Sequence, residues 1–144
     1  MELPMNKALL LLVALVLSVS LVAANDAPAE VPSVEGTWTL NNCTIHDAVR
    51  LILSYRKGPT HWTWGSSQDL ADLKGLSSEQ LHAMSTPATF ALERDPGVFF
   101  FQGTLLLGVG HGEYRFASNP SFAAKLEALG YGPIERDDVS LMIM

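Results

Sequence analysis

Four histidines, one cysteine and a glycine-rich run are the residues of this 144-residue chain whose types could carry chemistry. His46, His61, His82 and His111 are the candidate metal ligands or proton carriers. A zinc site reads in sequence as two histidines four apart on a helix, or as tight Cys/His spacing. Neither spacing occurs here, so no metal and no cofactor are expected. Cys43 has no second thiol in the chain and cannot close an internal disulfide. Burial beside Trp38 and Leu40 is its expected state, since free cysteine packs as a small hydrophobe. Asn42-Cys43-Thr44 fits the N-glycosylation pattern, but a buried Cys43 would make it a poor acceptor. Gly108-Val109-Gly110-His111-Gly112 has the composition of a phosphate loop. It lies between two alternating apolar segments, with no following helix N-terminus to receive an anion, so a hairpin turn is expected. There is no G-x-S-x-G, and adjacent His46 and Asp47 would point to opposite faces of a strand. No nucleophile–base pair can be assembled from these spacings, and the chain is read as non-enzymatic, with a hydrolase of unrecognised site as the weaker alternative.

The elements that would position these residues are mostly strands. Val34 to Leu40 alternates Val34, Gly36, Trp38 and Leu40 against Glu35, Thr37 and Thr39, the pattern of a half-buried strand. Asp47 to Tyr55 alternates again. Its β-branched and aromatic content, closed by Gly58-Pro59, favours a strand and hairpin over the rival helix, with His61 to Trp64 returning. Ser66 to Met84 changes period: Leu70, Leu73, Leu76 and Leu81, with a Ser77/Gln80 capping box, predict an interrupted helical crossover that Pro87 stops. From Thr89 to Ala117 alternation dominates. Asp95-Pro96-Gly97 is a predicted turn with a positive-φ glycine. Val98 to Gln102 is apolar on both faces and so predicted to be central, and Gly103 is expected at a bend or bulge. Tyr114 and Phe116 belong to a returning strand. Asn119 and Pro120 open a helix as N-cap and first helical residue, and Gly130 closes it. The expected fold is α+β and mainly β: an antiparallel sheet or partly open barrel of about six strands, with a short helical crossover and a C-terminal helix.

The first residues set the compartment. Lys7 precedes the apolar run Ala8 to Val22, and small residues Ala23 and Ala24 stand before the polar Asn25, the three parts of a cleavable signal peptide. The run is shorter than the roughly 20 residues a membrane-spanning helix needs, and no basic cluster flanks it. Residues 1–24 are therefore read as the signal peptide, 25–33 as a flexible linker, and 34–144 as one β-rich domain. The chain is expected to be exported to the periplasm or beyond, with no stable membrane span after cleavage. Its net charge of −6 is spread along the sequence, which argues against nucleic acid as a partner. The chain ends on the apolar Val139-Ser140-Leu141-Met142-Ile143-Met144, expected to dock on the sheet or to belong to a longer product.

Two resemblances add to this. Asp95, Gly97, Phe99, Phe101, Gly103, Gly112, Tyr114, Phe116, Asn119, Pro120, Phe122 and the Leu126-Ala128-Leu129-Gly130-Tyr131 phrase resemble an uncharacterised β-module of exported or membrane-anchored bacterial proteins. In that module F-x-F-x-G, Asn-Pro-x-Phe and Ala-Leu-Gly-Tyr phrases recur. The likeness is good from Phe90 to Tyr131 and loose from Val34. Such modules usually precede helical repeats with the same Ala-Leu-Gly-Tyr ending, and some are attached to antirepressor-type peptidase sensors. The resemblance implies an accessory or interaction role and no reaction. Separately, Gly36-Thr37-Trp38 is similar to the G-x-W opening of lipocalins, though a helical crossover falls where their strand meander would continue.

Two candidate sites follow. An interaction module would use the apolar face Phe122, Leu126 and Leu129 together with Leu141 and Ile143 of the tail, its partner being another protein or a second copy. A small apolar-ligand carrier would use a pocket lined by Trp38, Trp62, Trp64, Phe99 and Phe101. The interaction role is the leading expectation.

Overall fold

The computed structural model describes residues 34–42 and 48–133. Seven antiparallel strands form one sheet: β1 (Val34–Asn42), β2 (Ala48–Lys57), β3 (Thr60–Asp69), β4 (Leu73–Lys74), β5 (Thr86–Arg94), β6 (Gly97–Leu106) and β7 (Val109–Ser118). Their spatial order is β3-β2-β1-β7-β6-β5-β4. Two short helices complete the described fold, α1 (Ser78–His82) and α2 (Pro120–Ala128). The mainly-β α+β reading holds, with one strand more than expected.

Alternation decides which face is buried. Trp38, Leu51, Leu53, Phe90, Leu92, Phe99, Phe101 and Phe116 all point to one face and are buried. Their sequence neighbours Thr37, Thr39, Arg50, Gln102 and Arg115 point to the other and are exposed. A flat sheet would need another layer to cover that apolar face. The helices contribute little cover: Leu81 from α1 is buried, and Phe122 from α2 packs partly against the core. The sheet therefore covers itself by rolling. Arg94 at the end of β5 donates to Gln68 of β3 at 2.7 Å, and to Asp72 between β3 and β4 at 3.1 Å. The roll stays open, because among the described residues β4 pairs only with β5 and β3 only with β2.

Several local expectations are corrected. The segment after Trp64 does not leave the sheet at Ser66. β3 continues to Asp69, and a single 3-10 turn, Leu70–Asp72, then leads to β4. The Ser77/Gln80 capping box is present at α1, with both reciprocal bonds made. Pro87 does not end that helix; it lies within β5, opposite Thr104. It is tolerated because β4 reaches only Ala91 and Leu92, leaving β5 an edge at Pro87. Gly97 lies in β6 and is not among the positive-φ residues; a Cβ there would meet the Ala117 carbonyl at 2.3 Å and the Phe116 ring at 2.6 Å. Gly103 makes no bulge, since register runs unbroken through Ala88, Gly103 and Gly112. β6 is central as expected, yet Phe100 faces outward and is half-exposed. The glycine-rich run is mostly strand: the hairpin turn is Leu107-Gly108, and residues 109–112 belong to β7. Asn119 caps α2 by accepting from the Ser121 amide at 3.1 Å, and Gly130 follows the helix at φ +91°.

Candidate functional site

Cross-strand register arranges the inner face in rows that run from the β3 edge to the core. One row is Trp62, Tyr55, Gly36, Tyr114, Phe101 and Phe90; the next is Trp64, Leu53, Trp38, Gly112, Gly103 and Ala88. All five aromatic residues of the expected ligand pocket thus share one face, but they do not surround one space. Trp38, Phe99 and Phe101 are about 1 % exposed and packed against one another and their neighbours. Trp38 meets Phe90 edge-on at 5.1 Å, Phe90 stacks on Phe101 at 4.6 Å, and Phe99 contacts Phe116 at 4.6 Å.

The glycines of the sequence motifs explain how this packing is reached. A Cβ on Gly103 would lie 2.8 Å from Trp38, one on Gly110 2.7 Å, and one on Gly112 2.8 Å. Three glycines on β6 and β7 thus clear a bed for a single indole, whose Nε1 donates to the Gln102 carbonyl at 3.2 Å. The G-x-W motif and the glycine-rich run are two halves of one packing unit. Gly36 plays the same part for Tyr114, whose ring carbons would lie 2.6 Å from its Cβ. The Tyr114 hydroxyl is buried and has no hydrogen-bond partner among the described residues. Burial, and secondarily the neighbouring Tyr55, push its pKa up to about 12.

Trp62 and Trp64 sit differently. They lie on β3, the edge strand, where the inner face meets the lip of the roll. Trp62 is 48 % exposed and Trp64 partly buried against the core. β3 is ten residues long, and among the described residues its backbone pairs on the β2 side only. In an antiparallel edge strand, alternate residues then aim their N–H and C=O groups at solvent. On the outer face of this edge, Arg50 of β2 stands opposite Ser67, and Arg56 opposite His61. The Arg50 guanidinium reaches over β3 to within 3.8 Å of where a Gly65 Cβ would be.

The remaining chemistry is dispersed. An open groove of about 630 Å³ lies on the outer face over β1, β7, β6 and β5, bordered by Glu35, Thr37, Phe100, Gln102, Glu113 and Arg115. Its one exposed ring, Phe100, already faces the Arg115 guanidinium at 6.0 Å. His61, His82 and His111 are exposed. Among the described residues no group of three His, Cys, Asp or Glu could hold a metal, and no helix is long and apolar enough to cross a membrane. Of the expected interaction face, Phe122 is turned into the core, Leu126 is partly buried and Leu129 is 74 % exposed. Leu141 and Ile143 lie outside the described residues, as do Cys43, His46, the signal peptide and the linker. Sequence reading missed Arg50 and Gly65, which become neighbours only through the β2–β3 register. Compared with known proteins, the chain matches no protein family, no curated protein and no solved structure.

Proposed function

We propose that this chain is an exported, non-enzymatic module that engages another protein. The observation that carries this reading is the contrast between the two ends of the aromatic rows. Where a carrier would hold its ligand, Trp38, Phe90, Phe99 and Phe101 fill the space with one another. At the β3 edge, a tryptophan and a row of backbone groups face solvent. Packed interiors do not admit ligands without repacking, whereas exposed aromatic side chains beside free hydrogen-bonding groups are the usual ingredients of protein contacts. The resemblance to accessory modules of exported bacterial proteins points the same way, as does the signal-peptide pattern of residues 1–24.

Native mass spectrometry of the chain, purified gently from its own host, tests this reading. The expected spectrum shows the chain free of small molecules, alone or with a protein partner. A stoichiometric apolar adduct would overturn the interaction reading in favour of a carrier.

A further inference from the structure

We infer that the β3 edge is a strand-addition site for an extended peptide segment of a partner protein, one that alternates apolar with acidic residues. This deepens the interaction reading and rests on it. Three features of the edge define the occupant. Unpaired backbone groups along Thr60–Asp69 select an extended chain, because only another strand satisfies N–H and C=O groups at this spacing. Trp62 and Trp64 lie on one face of that edge and take apolar side chains at alternate positions of the added strand. The opposite face presents Arg50, Arg56 and His61, all exposed, with Asp69 as the acid at the far end of β3 on that face. Among the described residues Arg50 has no hydrogen-bond or ion-pair partner, and its guanidinium lies over Gly65, beside where the added strand would run. In a chain of net charge −6, this corner is locally basic and complementary to carboxylates.

The edge also lacks the features that proteins use to keep such strands unpaired. Exposed edges are ordinarily blunted by lysine, proline, bulges or short length. β3 (THWTWGSSQD) is long, contains no Lys, Arg or Pro, and keeps an unbroken register with β2. Among the described residues the sheet closes this side where Arg94 bonds to Gln68 near the end of β3. That leaves Thr60 to Ser67 as the accessible length. An added strand would extend the Trp62 and Trp64 rows by one position outward.

The test is fluorescence anisotropy with a labelled synthetic peptide alternating valine with glutamate. Two controls of equal length accompany it: one with lysine replacing glutamate, and one acidic peptide N-methylated at alternate amides so that one edge cannot pair. The acidic peptide is expected to bind, and the lysine and N-methylated peptides to bind at least roughly tenfold more weakly. Trp62→Ala is expected to weaken the acidic peptide. Arg50→Glu is expected to reverse the preference between the acidic and lysine peptides. Both side chains are exposed enough for the fold to tolerate their loss, and circular dichroism checks this. Binding that ignores both N-methylation and Trp62→Ala would overturn the strand-addition site while leaving an interaction module in place. Absence of binding by the acidic peptide would overturn the proposed occupant, as would concentration-dependent dimerisation that Trp62→Ala abolishes, since a second copy would then own the edge. An apolar adduct in the mass spectrum would remove the interaction reading itself.

Discussion

Tyr114 and the glycines around Trp38 show how single atoms set this fold's tolerances. The Tyr114 hydroxyl is buried without a partner among the described residues, and an unsatisfied buried polar group costs about 1–3 kcal/mol. Tyr114→Phe removes the hydroxyl and keeps the ring, so it is expected to raise stability by about 1 kcal/mol at neutral pH, read as a shift in the urea midpoint. The pH dependence has a definite sign. Burial raises the folded-state pKa from 10.0 to about 12, so the unfolded chain loses this proton first. Stability associated with Tyr114 is complete below pH 10 and is lost as pH rises toward 12. The advantage of Tyr114→Phe over the wild type should therefore widen through that window. At the glycine bed, substitutions separate by what a Cβ would strike. On Gly112 it meets the Gln102 carbonyl at 2.1 Å, so Gly112→Ala is expected to cost about 3 kcal/mol whatever occupies position 38. On Gly110 the nearest atoms it meets belong to side chains, those of Leu105 and Trp38. Gly110→Ala should cost less and couple to Trp38→Phe in a double-mutant cycle.

Among the elements, the β6–β7 hairpin and α2 illustrate what the sequence makes legible. Alternation from Thr86 to Ser118 is continuous, because each strand buries one face against a core that reads as every second residue. Asn119-Pro120 is likewise a local signal, and the structure uses it both ways: Asn119 caps α2, and its amide donates to the Asp95 carbonyl, tying the helix to the β5–β6 turn. Asn119→Ala is expected to cost about 1 kcal/mol, measured by thermal unfolding. Sequence reading expected this hairpin turn but set it too far along, in Gly108–Gly112, because its first residue is a leucine. Leu107 and Gly108 both have positive φ, 48° and 80°, as in the turn type that matches strand twist and ordinarily takes Asn or Gly. Leu107 is exposed, so Leu107→Asn gives up no core contact and is expected to stabilise by about 1 kcal/mol. The second half of β3 was hidden for a different reason. Gly65-Ser66-Ser67-Gln68-Asp69 has no apolar alternation, because an edge strand at the lip of the roll buries little there, and backbone pairing with β2 holds it extended.

For the whole molecule, the fold class was legible and the candidate site only half so. Periodicity set Trp62 and Trp64 on one side of their strand, and the strand register puts them on the same face as Trp38, Phe99 and Phe101. Periodicity could not say that Trp38 is separated from the β3 edge by Leu53, nor that its indole, bedded on three distant glycines, fills the space a pocket would need. Those facts follow from strand order, and strand order depends on pairing β1 with β7, elements far apart in the chain. Among the described residues the sheet is a self-covering roll with a packed centre and a long open edge at β3. The most direct test of this account is hydrogen–deuterium exchange of the chain alone and with saturating acidic alternating peptide. The account predicts fast exchange along alternate amides of Thr60 to Ser67 in the free chain, slowed on binding, with the amides of β1 and β6 protected throughout. Protection that appears along Phe122 to Leu129 instead, with β3 unchanged, would contradict it.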